Sequence, residues 1–291
     1  MTAQQGMPPS RMSGFRSELN VFYAFFYRSL VQQLSFRSWF VMRILGMFVG
    51  VTTYSIFAKV VPSTEIAAQI AAQYHLTGKN PFLDFFLIGM LVQNMVALGS
   101  AGISHLVNSP FYPYYHASPT RLITVFFGNN AFRYLWVIIE TFAYIAVGLT
   151  FGMTFYMNFG FVLVLVTGIL LTFSLDLLSA GWNIITKTGE DPLNWFLDLF
   201  SRLVTGSWIP VQNLPNWLQA IAAVHPQRYV NDMARLTIGG NAPLREIWPQ
   251  LGPLMLITAV ITFVGYRAFK YGFWKARDEG TLGHAMSGFR R

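Results

Sequence analysis

A long stretch without charge lies between Glu140 and Asp176, where no Asp, Glu, Lys or Arg occurs. The turn-forming run MNFG at residues 157–160 divides this stretch in two. The hydrocarbon layer of a membrane is about 30 Å thick, and a helix needs about twenty apolar residues to cross it. The stretch therefore predicts two membrane spans joined by a tight hairpin, and this restricts the chain to a membrane fold.

The composition agrees with an integral membrane protein. Of the 291 residues, 54% are hydrophobic and 11% are charged, whereas soluble domains have about 25% charged residues. No cysteine, catalytic motif or phosphate-binding loop occurs, and the five histidines lack metal-ligand spacing, so we expect no metal or cofactor bound by this chain. The net charge of +8 indicates a basic cytoplasmic face and does not indicate nucleic-acid binding.

The apolar segments predict an all-α integral membrane protein with six transmembrane helices. We expect Asp84 at the outer edge of the second span, and we expect Gln93 and Asn94 to need partners within it. The six spans are predicted at about residues 39–61, 82–107, 132–153, 159–182, from 193 onward, and 248–271.

The basic residues outside the spans predict the orientation, because cytoplasmic loops are enriched in Lys and Arg. Four of them fall on the opposite side: Lys79, Arg228, Arg235 and Arg245. Twelve fall on the side of the two termini: Arg11, Arg16, Arg28, Arg37, Arg121, Arg133, Lys187, Lys270, Lys275, Arg277, Arg290 and Arg291. Both termini are therefore predicted to be cytoplasmic in a multi-pass plasma or inner membrane protein.

The predicted organisation has three parts. Residues 1–38 form a cytoplasmic N-terminal segment, residues 39–275 form the six-helix transmembrane domain, and residues 276–291 form a cytoplasmic basic tail. Within the first part, Glu18–Phe36 has apolar residues at helical spacing, among them Phe22 and Phe26. The spacing indicates an amphipathic helix in the plane of the membrane surface or a cytoplasmic extension of the first span.

A proline-broken segment lies between the fifth and sixth spans, at residues 206–240. No Asp, Glu, Lys or Arg occurs between Arg202 and Arg228, yet three prolines interrupt the segment, at positions 210, 215 and 226. This pattern predicts a turn at 209–215, a short helix at Asn216–Val224, a break at His225, and a second short helix that ends near Gly239. Irregular backbone at membrane depth needs protein or water around it, so we predict a re-entrant or outer hairpin.

The order of these features resembles that of ABC-2 type transporter permeases. The resemblance covers nearly the whole chain, and the Ser109–Pro110 pair between spans two and three also matches, although His105 stands where the family often has an acidic residue. In the broken segment the matching residues are Gly206, Pro210, Leu214, Pro215, Trp217, Leu218, Pro226 and Arg235.

The resemblance implies a transport subunit and not an enzyme. It implies an ATP-driven exporter in which two copies of this chain bind two separate ATPase subunits, which carry the ATP and Mg. Known substrates across the family include drugs, lipids and lipid-linked glycans. Because the spans contain few polar residues, we expect an amphipathic or hydrophobic substrate.

A permease without its own nucleotide site must receive work through contact with its ATPase. Two rigid cytoplasmic elements fit this role, the amphipathic helix and the proline- and aromatic-rich connector before Arg121. An aromatic belt among lipid headgroups is the alternative for the connector. The predicted coupling interface comprises Pro110, Phe111, Tyr112, Tyr114, Tyr115, Pro119 and Arg121, with Phe22 and Phe26.

Four ionisable residues inside the predicted spans are candidates for function. Asp198 precedes Arg202 by four residues, the favourable order for an ion pair on a helix. Asp176 is expected at a solvated helix end, and Glu140 is expected either to make a structural hydrogen bond or to act on a substrate. A proton-coupled secondary transporter that uses Glu140 and Asp176 is therefore the alternative function, and an intramembrane enzyme is a third.

Overall fold

The computed structural model describes residues 15–60, 64–100, 102–103, 106, 114–115, 121–187, 196, 199, 201, 204–207 and 210–280. The described residues form helices and connecting segments, with no strand among them. The helices are α1 Phe15–Ser35, α2 Arg37–Val60, α3 Thr64–Tyr74, α4 Pro81–Val96, α5 Leu122–Thr150, α6 Phe159–Thr186, α7 Asn216–Val224, α8 Pro226–Ile238 and α9 Leu244–Asp278.

Four helices in the described part of the chain are long and apolar enough to cross a membrane. They cover Pro81–Gly99, Thr124–Thr150, Phe159–Thr186 and Leu244–Asp278, and they correspond to the second, third, fourth and sixth predicted spans. Helix α2 lies where the first span is predicted, but many of its side chains lie outside the description. Most of the fifth predicted span also lies outside it, so the total of six spans stays a prediction.

Helices α6 and α9 form the central pair of the bundle, and small residues allow their backbones to approach closely. A Cβ atom on Gly181 would come within 2.6 Å of the Phe269 backbone nitrogen, and one on Gly265 would come within 3.0 Å of the Ser174 carbonyl oxygen. The hydroxyl oxygens of Ser174 and Thr262 lie 2.6 Å apart across the same contact. Small residues at such contacts are typical of helix pairs in membranes.

Buried side chains form two large hydrophobic clusters along this pair. The outer cluster joins α3, α4 and α8 to the first halves of α6 and α9, through residues such as Phe85, Phe161 and Ile247. The cytoplasmic cluster contains Leu177 and Ala276, from the second halves of α6 and α9. We call the two ends of the bundle the outer end and the cytoplasmic end, after the predicted topology.

The second span is not one continuous helix, so the prediction of a single helix over residues 82–107 is wrong. Helix α4 ends at Val96, a short 3-10 turn covers Ala97–Gly99, and Gly102 has a φ of +61°. The chain then forms a new helical turn, in which the Leu106 N–H donates to the Gly102 carbonyl at 2.9 Å. Helix α4 has already ended before Gly102, and this left-handed residue turns the chain within the interruption.

The proline-broken segment contains its two short helices at the predicted places. A 3-10 turn at Val211–Asn213 precedes α7, and His225 separates α7 from α8 with an extended backbone. Pro226 is the first residue of α8, where its missing N–H costs no helical hydrogen bond. The membrane depth of this hairpin stays a prediction.

Candidate functional site

At the cytoplasmic end, α1 packs lengthwise against α5. Glu18, Phe22, Phe25 and Ser29 form one stripe on α1 at helical spacing. A Cβ atom on Gly128 of α5 would lie 2.8 Å from the Phe25 Cβ atom, so this glycine permits the close contact. The helix predicted at Glu18–Phe36 therefore exists, although it begins slightly earlier, at Phe15.

Glu18 links α1 to the first turn of α5. Its Oε1 atom accepts a hydrogen bond from the Arg121 backbone N–H at 3.4 Å, and its Oε2 atom accepts one from the Thr124 hydroxyl. The Arg121 Nε atom lies 4.0 Å from the same carboxylate. A carboxylate at a helix N-terminus is stabilised by the helix dipole, so Glu18 fixes α1 against the start of α5.

Tyr115 joins the connector to the same helix. Its hydroxyl accepts a hydrogen bond from Arg28 Nη1 at 3.1 Å, and its ring packs edge-on against Phe25 with 5.6 Å between centroids. The structure thus brings Tyr115 of the connector together with Phe25 and Arg28 of α1, and Arg121 together with Glu18. The predicted Phe22 lies beside Gly128 of α5. Spacing along the helix wheel could have identified Phe25 and Arg28, which the sequence prediction omitted.

The remaining residues of the predicted coupling interface are exposed, partly buried or outside the described part of the chain. Tyr114 is 73% exposed, and Phe26 is half-buried. The opposite face of α1 carries exposed aromatic side chains, including Tyr23 and Tyr27, which stack with 6.3 Å between centroids. Four predicted residues lie outside the described part of the chain: Pro110, Phe111, Tyr112 and Pro119.

At the outer end, Arg235 of α8 is fully buried and binds backbone carbonyl groups. Its Nε atom donates to the Phe85 carbonyl at 3.1 Å, and its Nη2 atom donates to the carbonyls of Gly206 at 2.7 Å and Ser207 at 3.3 Å. Its Cζ atom lies 3.6 Å from the centroid of the Phe85 ring. One guanidinium therefore ties α4 and the irregular segment 205–207 to α8.

Asp232 balances the charge of this arginine. Its Oδ1 atom lies 3.6 Å from Arg235 Nη1 and accepts a hydrogen bond from the Tyr74 hydroxyl at 2.8 Å. Its Oδ2 atom lies 3.4 Å from Arg228 Nε. Burial, with the charge of Asp232, raises the pKa of Tyr74 well above its usual range, so the phenol keeps the proton that it donates.

A network of polar side chains lies next to Arg235 and connects α8 to α4. Asn231 Nδ2 donates to the Ser207 hydroxyl at 2.7 Å and to the Thr205 carbonyl at 3.2 Å. The Ser207 hydroxyl donates to Gln93 Oε1, which provides the partner that Gln93 was expected to need. These contacts satisfy backbone groups that a broken helix leaves without intrahelical partners.

The other residues of the predicted hairpin are spread over its surface and its small core. Leu214 packs against a cluster of Val204, Val211 and Ala222, whereas Trp217 is 64% exposed. Pro210 precedes the 3-10 turn, and Pro215 precedes α7. Of the predicted residues in this segment, the Arg235 side chain and the Gly206 carbonyl belong to the polar core of the outer end.

Of the ionisable residues predicted inside the spans, Glu140 and Asp176 have local partners. Glu140 accepts a hydrogen bond from the indole N–H of Trp136, one turn earlier on α5. Asp176 is 2% exposed, and its Oδ2 atom accepts from the Ile103 backbone N–H at 3.2 Å. The expectation of a solvated end for Asp176 is wrong, because the broken second span packs over it. Asp198 and Arg202 lie outside the described residues.

The structure also shows where two polar residues of the second span, Asn94 and Asp84, lie. Asn94 donates to the Val137 carbonyl at 3.2 Å and to the Thr141 hydroxyl at 3.3 Å, so α5 supplies its partners. Asp84 lies in the first turn of α4, at the edge of the span where the sequence placed it, and its side chain is buried. Among the described residues, no three His, Cys, Asp or Glu side chains are grouped so that they could hold a metal ion.

Comparison with known proteins gives a partial similarity. No family model matches the chain. Over 68 residues the chain is 34% identical to a protein called "Probable multidrug ABC transporter permease YbhR" from Escherichia coli strain K12, and to the protein of the same name from Escherichia coli O157:H7. The match covers 23% of this chain and 18% of the length of each relative. The similarity and the apolar helices indicate a multi-pass membrane protein related to transport permeases over that region.

Proposed function

We propose that this chain is the membrane subunit of an ATP-driven exporter of the ABC-2 type. The observation that carries the proposal is the joint between α1, Tyr115 and the start of α5, because a subunit that receives work from a soluble ATPase needs a rigid cytoplasmic element attached to a span. The partial similarity to a probable multidrug ABC transporter permease supports the same function.

The exporter works as two copies of the chain with two ATPase subunits, which supply the ATP and Mg. Both termini lie in the cytoplasm, residues 39–275 form the transmembrane domain, and residues 1–38 and 276–291 face the cytoplasm. The substrate is an amphipathic or hydrophobic molecule such as a drug, a lipid or a lipid-linked glycan. Apolar side chains dominate the spans, which supports this class of substrate.

The contacts give less support to proton-coupled transport through Glu140 and Asp176. A transporting carboxylate must exchange protons with water, whereas Asp176 is nearly fully buried and binds a backbone N–H. Glu140 is already the acceptor for Trp136 on its own helix. Both residues therefore have structural partners that explain their place in the bundle.

The test is reconstitution of the chain with the ATPase that co-purifies with it. We expect ATP-dependent accumulation of a fluorescent amphipathic drug in inverted vesicles, and no accumulation when a proton gradient replaces ATP. Accumulation driven by the gradient alone would contradict the proposal.

A variant pair tests the proposed coupling interface. Tyr112→Ala combined with Tyr115→Ala removes the aromatic contact with Phe25 and the hydroxyl acceptor for Arg28, so ATPase association or transport should fall strongly. Tyr266→Ala is the matched control, since Tyr266 is exposed on α9 far along the chain from the connector. Normal association and transport in the double variant would identify the connector as an aromatic belt among lipids.

A further inference from the structure

The interruption after α4 is held by side chains from two other helices. On its first side, Arg133 of α5 donates from Nη2 to the Ala97 carbonyl at 2.7 Å. On its second side, Asp176 of α6 accepts from the Ile103 N–H. The Ala97 carbonyl also accepts from the Ser100 N–H at 3.1 Å, so Arg133 is its second donor, whereas Asp176 accepts from the N–H that follows the break.

Between these two caps, the backbone turns at Gly102. Its φ of +61° lies in the left-handed region, and the nearest atom to an added Cβ would be Asn130 Oδ1, at 3.7 Å. Space is therefore available for a side chain, and only the backbone conformation favours glycine. At Gly99, by contrast, an added Cβ would lie 2.0 Å from the Ile169 carbonyl oxygen, so the backbone of the break contacts the backbone of α6 directly.

The two sides of the break belong to different hydrophobic clusters. Leu91, Val92 and Val96 before the break pack in the outer cluster. Ile103 and Leu106 after the break pack in the cytoplasmic cluster, where Tyr115 of the connector also packs. A continuous helix would connect the two clusters along the second span, whereas the interruption leaves that connection to the other long helices, among them α6 and α9.

We propose that this break is a mechanical joint, and that Asp176 is the positioning residue that transmits movement of the cytoplasmic connector to α6. The inference rests on the proposed function, since it concerns how work from the ATPase reaches the spans. The hydrogen bond from the Ile103 N–H to Asp176 Oδ2, at 3.2 Å in a buried site, joins the start of the cytoplasmic side of the break to α6, so Ile103 moves with that helix. The outer half of α4 stays fixed to the outer cluster.

Substitutions at Asp176 test the transmission. Asp176→Leu removes the acceptor for Ile103, and Asp176→Asn keeps an acceptor oxygen without the charge. We expect the complex with the ATPase to persist in both variants, with transport per ATP hydrolysed reduced at least about tenfold in Asp176→Leu and partly restored in Asp176→Asn. A wild-type transport ratio in Asp176→Leu would overturn the inference.

A backbone series tests the joint without touching the buried acid. We compare Gly102→Asn, Gly102→Ala and Gly102→Val, because asparagine adopts the left-handed conformation more readily than alanine, and alanine more readily than valine. Transport per ATP hydrolysed should fall in that order, by about tenfold for the alanine variant. Gly252→Val is the control, because nothing lies within 4 Å of an added Cβ there. Equal ratios across the series would overturn the joint. If the wild-type complex showed no ATP-dependent transport, the proposed function itself would be wrong, and transport per ATP hydrolysed could not be compared between variants.

Discussion

The outer end and the cytoplasmic end of the bundle are held together by different kinds of contact. At the outer end, the fully buried Arg235 binds three backbone carbonyls, and Asn158 donates to the carbonyls of Thr237 and Ala242. At the cytoplasmic end, the contacts of α1 with the start of α5 are largely exposed, including those of Glu18 with the Arg121 N–H and of Ser29 with the Asn129 carbonyl. An exposed ion pair also joins Lys187 to Glu279 at 2.6 Å. Contacts with buried backbone fix an arrangement, whereas exposed side-chain pairs exchange readily with water.

This difference assigns separate tasks to the two ends. Breaking a buried, hydrogen-bonded charge leaves an unpaired charge or unsatisfied carbonyls at low dielectric, which costs about 3–5 kcal/mol. An exposed ion pair is screened by water and salt and contributes little to stability, so its partners separate easily. We therefore expect the outer end to keep its structure while the cytoplasmic end adjusts to its ATPase partner.

The largest expected effect comes from Arg235→Met. This change removes the donors to Phe85, Gly206 and Ser207 and leaves Asp232 without its buried partner, so the free energy of unfolding should fall by about 3–5 kcal/mol. Denaturation in detergent measures it. Arg228→Met is the control, since Arg228 shares Asp232 but is partly exposed. Similar losses in both variants would show that the outer end has no special rigidity.

A second large effect is expected from Gly89→Ala on α4. The added Cβ would lie 2.5 Å from Arg235 Nη2 and 2.6 Å from the Ser207 carbonyl oxygen, and the backbone atom cannot move aside without loss of the Arg235 contact. Overpacking of this kind costs about 1–3 kcal/mol. Gly46→Ala on α2 has nothing within 4 Å of the added atom and replaces a poor helix former, so it should not lower the thermal midpoint. A neutral Gly89→Ala would contradict the tight packing around Arg235.

A smaller, pH-dependent effect is expected at His225. Burial lowers the pKa of this histidine, and its Nε2 atom lies 3.3 Å from the Ser201 hydroxyl oxygen. Because the unfolded chain then binds the proton more readily, stability is complete above the unfolded pKa of about 6.5 and falls as the pH drops below it. His225→Gln should flatten the dependence of the thermal midpoint on pH below the unfolded pKa of about 6.5. An unchanged slope would assign that dependence to other groups.

The smallest effect is expected at the cytoplasmic pair of Lys187 and Glu279. The hydrogen bond from Lys187 holds the pKa of Glu279 below its usual range. The ion pair therefore contributes to stability above the pKa that Glu279 has in the unfolded chain, and this contribution is lost as the pH falls through the lowered pKa of the folded state. Glu279→Gln should change the thermal midpoint at neutral pH only slightly, and added salt should abolish the difference. If Glu279→Gln lowered the free energy of unfolding as much as Arg235→Met, the two ends would not differ in how firmly they are held.

The sequence predicted the elements that depend on local chemistry. Prolines 215 and 226 marked the two short helices of the hairpin because a missing N–H acts on its own helix. The interruption after Val96 was missed because its apolar residues continue the hydropathy of a span, and its cause is a long-range contact with Asp176 and Arg133. The burial of Arg235 was likewise out of reach, since its partners are backbone carbonyls distant in the chain.

The close contact between α6 and α9 has a consequence for biosynthesis. Gly181 of α6 offers a groove that only the backbone around Phe269 fills, and α9 is the last of the described helices to be made. Until α9 enters the membrane, the groove on α6 stays open to lipid or to an insertase. We therefore expect this contact to form only after α9 has entered the membrane, and we expect large side chains at Gly181 to trap the chain in a form that membrane proteases remove.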